Sequence, residues 1–185
     1  MSKPVQDSQL FTDRLLLKPL SPADTEFIYR LVNTEGWLKF IGDRNVHSRE
    51  DASAYVQKIL QNPAVRYWTV HVQNSSHRIG IVTYIKRDYL DHPDLGFAFL
   101  PEFSGNGYAF EAAKTLLHFV MRNGGQQTIL ATTLPANMSS IRLLTKLGFR
   151  FQKEVIVGSD AVHVYGVSAD FLNASGETMA EASAR

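Results

Sequence analysis

The apolar positions of this chain change period several times, and the changes mark its elements. Arg14-Leu-Leu-Leu-Lys-Pro19 is a short apolar run that reads as a first strand. Two helices follow, each opened by the same signal. Ser21-Pro-Ala-Asp24 sets a Ser cap, a Pro at the first helical position and an acid just after it, and Phe27, Ile28, Leu31 and Val32 recur at helical spacing. Ser48-Arg-Glu-Asp51 repeats the cap, Ala52, Tyr55, Val56, Ile59 and Leu60 form one stripe, and Pro63 stops that helix. Between them, Trp37-Leu-Lys-Phe40-Ile-Gly-Asp43-Arg44 reads as a loop whose Trp and Phe plug the core.

The pattern then becomes strand-like. Tyr67–Val72 alternates, with Trp68, Val70 and Val72 on one face and Tyr67, Thr69 and His71 on a polar one. Asn74–His77 is turn material and Ile79–Ile85 a second β-rich run, which predicts a hairpin. Leu95-Gly-Phe-Ala-Phe-Leu100 is a further strand that ends at Pro101. The clearest helix places Ala109, Ala112, Ala113, Leu116, Leu117 and Val120 on one face and ends at Gly124-Gly125. Thr128–Thr133 as a strand, Ser139–Leu147 as a helix, and strands near Phe149–Val157 and Val162–Ser168 complete the order βααβββαβαββ. This predicts an α/β (α+β) domain: a mixed, mostly antiparallel sheet of six to seven strands with about four helices on both faces.

Residues 10–172 show no repeat or linker and read as a single domain. Residues 1–9 and 173–185 lack the bulky apolar side chains needed to offset ordering entropy, which predicts a flexible N-terminus and a disordered C-terminal tail. Composition adds exclusions. Among 185 residues, 19 Lys plus Arg face 18 Asp plus Glu, and the formal charge of +1 disfavours a dedicated nucleic-acid binder. With no cysteine, disulfide scaffolds, Cys-ligated metals and thiol catalysis fall away. The six His show no metal-ligand spacing, so no metal is expected. No run is long and apolar enough for a membrane span, and Met1–Asp7 lacks a signal-peptide core, which predicts a cytoplasmic protein.

The chemistry concentrates in two segments. In Leu100-Pro-Glu-Phe-Ser-Gly-Asn-Gly-Tyr-Ala-Phe-Glu-Ala112, a strand runs through Ser104-Gly-Asn-Gly107 directly into the long helix. Consecutive N–H groups in such a turn, together with the free N–H groups of a helix start, can hold a phosphate without a lysine. A tight strand–helix turn with no ligand has the same appearance. A dinucleotide fingerprint fails because Phe110 stands where a third small residue is required, and no P-loop Gly-Lys-Ser/Thr is present. The second segment, Asn137-Met-Ser-Ser140 leading to Leu147-Gly-Phe149, reads by itself as a capped amphipathic helix, with Asn137 or Ser139 as the cap.

Taken as a pair, the segments resemble the GNAT superfamily of acetyl-CoA-dependent N-acetyltransferases. Pro101–Ala112 looks like the pyrophosphate-binding segment, and Asn137-x-x-Ser140 with Leu147-Gly-Phe149 like the second wall of the cofactor site. Thr12-Asp-Arg-Leu-Leu-Leu-Lys-Pro-Leu with Asp24 is similar to the branch that contains ribosomal-protein N-terminal acetyltransferases, and the resemblance covers about residues 10 to 171. Three positions depart from the family pattern: Glu102 replaces a Gln or Arg, Phe110 a small residue, and Leu144 the Tyr that many relatives use as acid.

The resemblance implies an N-acetyltransferase that takes acetyl-CoA and passes acetyl to a primary amine, a peptide N-terminus or a small molecule, by direct attack in a ternary complex. It implies that the pyrophosphate rests on N–H groups of Ser104, Gly105, Asn106, Gly107, Tyr108 and Ala109, and the pantetheine along Phe97–Leu100. An N–H near Phe99 or Leu100 would face the thioester oxygen. Asn137 would bond pantetheine or amine, and Ser140, or water in its place, would protonate the leaving sulfur. Asp94 and His71 are the leading candidates for general base, with Glu35 and Tyr84 behind them. The Trp37–Arg44 cluster falls where acceptor sites of the family are usually built. A CoA-binding protein of this fold without turnover is the alternative, and a monomer or homodimer is expected.

Overall fold

The computed structural model describes residues 8–75 and 77–170; residues 1–7 and 171–185, with most of the expected flexible ends, lie outside it. In chain order the elements are β1 Leu10–Phe11, β2 Leu15–Pro19, α1 Thr25–Val32, α2 Glu35–Phe40, α3 Arg49–Gln61, β3 Val65–Val72, β4 Arg78–Ile85, β5 Asp94–Phe99, α4 Tyr108–Gly124, β6 Thr128–Thr133, α5 Met138–Lys146, β7 Arg150–Val157 and β8 Asp160–Ser168. The strands form one eight-stranded sheet in the order β1-β2-β3-β4-β5-β6-β8-β7. Every neighbouring pair is antiparallel except β5 and β6.

The mixed, mostly antiparallel architecture stands, with slightly more elements than the pattern predicts. The added strand, β1, has two residues, paired as Leu10↔Leu17 and Phe11↔Leu16, which is too short for alternation to register. The added helix, α2, replaces the expected loop. Thr34 caps it by accepting from the Trp37 N–H at 3.4 Å, and its six residues span less than two turns. Trp37 does plug the core, with its indole N–H donating to the Gly42 carbonyl at 3.1 Å.

Helices cover both faces of the sheet. On one, Ala112, Ala113, Leu116, Leu117 and Val120 of α4 and Leu144 of α5 bury against Trp68, Val70, Val82 and Leu95. The two alanines lack bulk at the contact, which lets α4 pack close beneath fully buried Trp68. On the other face, Phe27, Ile28, Leu31 and Val32 of α1, Trp37 of α2 and Val56 and Ile59 of α3 pack on Ile81 and Leu100. Full burial of each large side chain contributes roughly 1.5–3 kcal/mol. Because both faces are covered, the polar face expected for β3 does not meet solvent: Thr69 and His71 are buried.

The departure from regular pairing lies at the centre of the sheet. β4 and β5 are registered along their length, from Gly80↔Phe99 to Ile85↔Asp94. β5 and β6 share one registered pair, Asp94↔Leu130, where the Leu130 N–H donates to the Pro93 carbonyl at 2.9 Å. Each strand stays bonded to its outer neighbour, so the two part beyond this point and leave a gap. Its open end is the C-terminal end of both strands, where the chain turns into α4 and α5.

Candidate active site

The first wall of the gap ends in a bare helix start. A single 3-10 turn, Pro101–Phe103, leads through Ser104 to Gly105 and Gly107, with φ of 80° and 79°. Such positive φ values suit residues without a Cβ, which explains glycine at both positions. Gly107 is the N-cap of α4 and has no side chain to cap with, so the N–H groups of Tyr108, Ala109 and Phe110 find no partner in the helix. The first helical bond is Glu111 N–H to the Gly107 carbonyl, at 3.1 Å. Residues Ser104 to Gly107 are exposed, and a Cβ built on Gly105 would meet nothing within 4 Å. Free N–H groups, a positive helix end and open space together fit an anionic diphosphate.

The strand leading into this loop has one free edge. The Leu100 N–H donates to the Ile79 carbonyl of β4 at 2.9 Å, so it is consumed within the sheet and does not face the gap as expected. Backbone direction alternates along a strand, which turns the N–H and C=O groups of Phe97 and Phe99 toward the gap. Their side chains pack on the α4 side, while Leu100 packs on the opposite face.

The second wall carries Asn137 and Ser140. Asn137 caps α5, its Oδ1 accepting from the Ser140 N–H at 3.1 Å. Its side-chain amide and the Ser140 hydroxyl have no hydrogen-bond partner among the described residues, and both residues are half-buried. Leu144, in place of the Tyr of many relatives, is buried in the core and offers no acid.

The four candidate bases are not brought together. Asp94 lies where β5 and β6 meet, about 17 Å along β5 from Phe99 at the ordinary rise per residue. It is buried. Its Oδ2 accepts from the Thr132 hydroxyl at 2.9 Å and lies 3.1 Å from Arg87 Nε, whereas Oδ1 is buried with no partner among the described residues. His71 is on β3, two strands from the gap, with Nε2 3.0 Å from Thr69 Oγ1. Burial lowers its pKa, with Lys18 and Arg78 adding to the effect, so its neutral form is favoured. It sits beside the pair of buried Asp24 and half-buried Arg78, 2.7 Å across. Glu35 is exposed at the start of α2, and Tyr84 is buried in the α4-side core, where burial raises its pKa.

A further cluster meets the start of α4 from a distant part of the chain. Arg14 and Thr12 reach across the molecule to Glu111 in the first turn of α4, with Arg14 Nε donating at 2.7 Å. The only trace in the sequence was the Thr12-Asp-Arg-Leu similarity, which says nothing of a contact nearly a hundred residues away. Among the described residues, no group of His, Asp or Glu could hold a metal ion, and no helix is long and apolar enough to cross a membrane.

The comparisons with known proteins agree with this geometry. The family model described as "Acetyltransferase (GNAT) domain" matches residues 14–150. YnaD, an uncharacterized N-acetyltransferase of Bacillus subtilis (strain 168), is 29% identical over 139 residues, 75% of this chain and 81% of its own. Among solved structures, the ribosomal L7/L12 alpha-N-protein acetyltransferase RimL in complex with coenzyme A aligns with a TM-score of 0.76 at 16% identity, covering 89% of this chain and 99% of its own. The aminoglycoside acetyltransferase AAC(6')-Ib in complex with coenzyme A gives 0.75 at 16% identity, covering 87% and 98%. Two neighbours named for such different acceptors share the fold equally, so the fold does not choose the acceptor. The family match, which takes in the whole of both walls of the gap, does decide the lineage: the chain belongs to the GNAT acetyltransferases.

Proposed function

We propose that this chain transfers the acetyl group of acetyl-CoA to a primary amine, a protein N-terminus or a small molecule, by direct attack in a ternary complex. One observation carries the reading: the free edge of β5 runs straight into an uncapped helix start. N–H groups of Gly105 to Ala109 would hold the diphosphate, without the expected Ser104 N–H, which is bonded to the Pro101 carbonyl at 3.1 Å, and the backbone of Phe97 and Phe99 would bond the extended arm as an added strand does. Acetyl-CoA supplies the activated acyl carbon. The amine nitrogen bonds to that carbon as the carbon–sulfur bond breaks; the amine loses a proton and the sulfur gains one.

This chain's residues orient both partners and supply the sulfur's proton. The Phe99 N–H, on the open edge, is the donor placed to polarise the thioester oxygen, a role worth about 3–4 kcal/mol in studied enzymes. The Asn137 amide, anchored through its cap, orients the arm or the amine, and the Ser140 hydroxyl donates to the sulfur. Asp94, about 17 Å along β5 from Phe99, paired with Arg87 and bonded to Thr132, is out of reach of an amine at that thioester and braces the apex of the gap, so water takes the amine's hydrogen. His71, neutral and two strands away, supports the fold. Holding the reactants in line can itself supply about 7–11 kcal/mol, which suits a site without a strong acid.

Leu144 favours a second reading, a CoA-binding protein without turnover. One experiment separates the two. Thermal unfolding with CoA at 100 times its Kd should show about 2.7 kcal/mol of stabilisation under either reading. Thiol release from acetyl-CoA in the presence of an amine panel is expected only from the enzyme. Absence of any thermal response to CoA would sink both.

A further inference from the structure

The loop that begins α4 is held from outside by a single side chain. Arg14, in the turn between β1 and β2, places Nε 2.7 Å and Nη2 2.5 Å from one oxygen of Glu111. Its Nη1 donates to the Asn106 carbonyl at 3.1 Å, and its guanidinium carbon lies 4.7 Å from the centre of the Tyr108 ring. The Thr12 hydroxyl donates to the other Glu111 oxygen at 2.5 Å. The Arg14 side chain is 48% exposed, so its ion pair adds little to stability. What it fixes is direction.

The Asn106 carbonyl and the Gly107 N–H belong to one planar trans peptide and point to opposite sides of the chain. That peptide turns about ψ of Asn106 and φ of Gly107; Gly107 has no Cβ to restrict its side, and the Asn106 side chain bonds the Phe103 and Ser104 carbonyls and not this peptide. By holding the carbonyl, Arg14 fixes the Gly107 N–H on the far side of the backbone from itself. Glu111 also brings a negative charge to the helix end that would receive an anion, and the guanidinium offsets it. Resting on the proposed acetyl-CoA reading of this loop, we propose that Arg14 is a positioning residue: it latches the Asn106–Gly107 peptide in the orientation that receives the diphosphate.

The test pairs Arg14→Gln with Arg14→Lys. Arg14→Gln is expected to raise the Kd for CoA and the KM for acetyl-CoA about tenfold, the effect of losing one charge-assisted bond. The amine KM and the saturated kcat should stay within about twofold, and the unfolding temperature without ligand should barely move. Arg14→Lys keeps the charge and the Glu111 contact, but one ammonium cannot replace the fork that spans Glu111 and Asn106, so it should recover less than half of the lost affinity on a logarithmic scale. If either folded variant binds CoA as the wild type does, the latch is refuted while the acetyl-CoA reading survives. Full recovery in Arg14→Lys reduces the role to charge alone and overturns the proposal. A wild type that does not bind CoA overturns both.

Discussion

Helices α4 and α5 begin side by side at the open end of one gap, yet their first turns are built in opposite ways. α5 supplies its own cap, Asn137 Oδ1 to the Ser140 N–H. α3 does so more completely, with Ser48 accepting from the Asp51 N–H at 3.0 Å and the Asp51 carboxylate accepting from the Ser48 N–H at 2.9 Å. α4 starts at a glycine with no cap, and its loop is braced instead by a side chain from another part of the chain. A helix that satisfies its own N–H groups is finished as a fold element. One that leaves them bare costs about a kcal/mol of stability in exchange for an anion site. The difference separates what the fold needs from what the ligand needs, and substitutions at the three helix starts should separate them too.

The largest effect is expected at α4. Gly107→Asp places a carboxylate among the bare N–H groups and a Cβ in a backbone region that side chains avoid, with Arg14 Nη2 3.5 Å from that Cβ. Losing about two charge-assisted bonds should weaken CoA binding on the order of a hundredfold or more. The stabilisation that CoA gives the wild type should vanish from the melting curve. An undiminished CoA response in this variant would show that the diphosphate is held elsewhere.

Next in size is Ser140→Ala. If its hydroxyl protonates the leaving sulfur, kcat should fall on the order of a hundredfold while CoA affinity stays unchanged, because that bond forms late in the reaction. Wild-type turnover would assign the proton to water.

The smallest effect, and the finest division, is expected at the capped starts. Asn137→Ala should cost about 0.5–2 kcal/mol of stability, and Asn137→Ser should restore it. If the amide also orients a substrate, kcat/KM should stay depressed in Asn137→Ser despite the recovered melting temperature. Ser48→Ala is the control, with a similar loss of stability and no kinetic change. Full kinetic recovery in Asn137→Ser would reduce Asn137 to a cap like Ser48.

Much of this molecule was legible along the chain. The stripe from Ala109 to Val120 and the Gly124-Gly125 stop locate α4, and Thr128–Thr133 matches β6 residue for residue. Caps at Ser48 and Asn137 were readable because capping is local, decided within three or four residues. The glycine loop and its family likeness were readable for the same reason, being written in consecutive residues. Periodicity missed whole elements only where they are too short to show it, in β1 and α2.

The tertiary structure decided the rest. No local pattern says that β5 keeps its bonds to β4 and gives up those to β6, yet that choice puts Phe97 and Phe99 on an open edge and commits the Leu100 N–H to β4. It also set Asp94 at the apex of the gap and His71 two strands away, although both had looked like equal candidates for one task. Arg14 reached the glycine loop only because β2 and α4 pack together, although 92 residues separate Arg14 from Asn106. Strand edges, face coverage and cross-chain braces arise from contacts between distant segments, and the local hydrophobic pattern carries no record of which segments will meet.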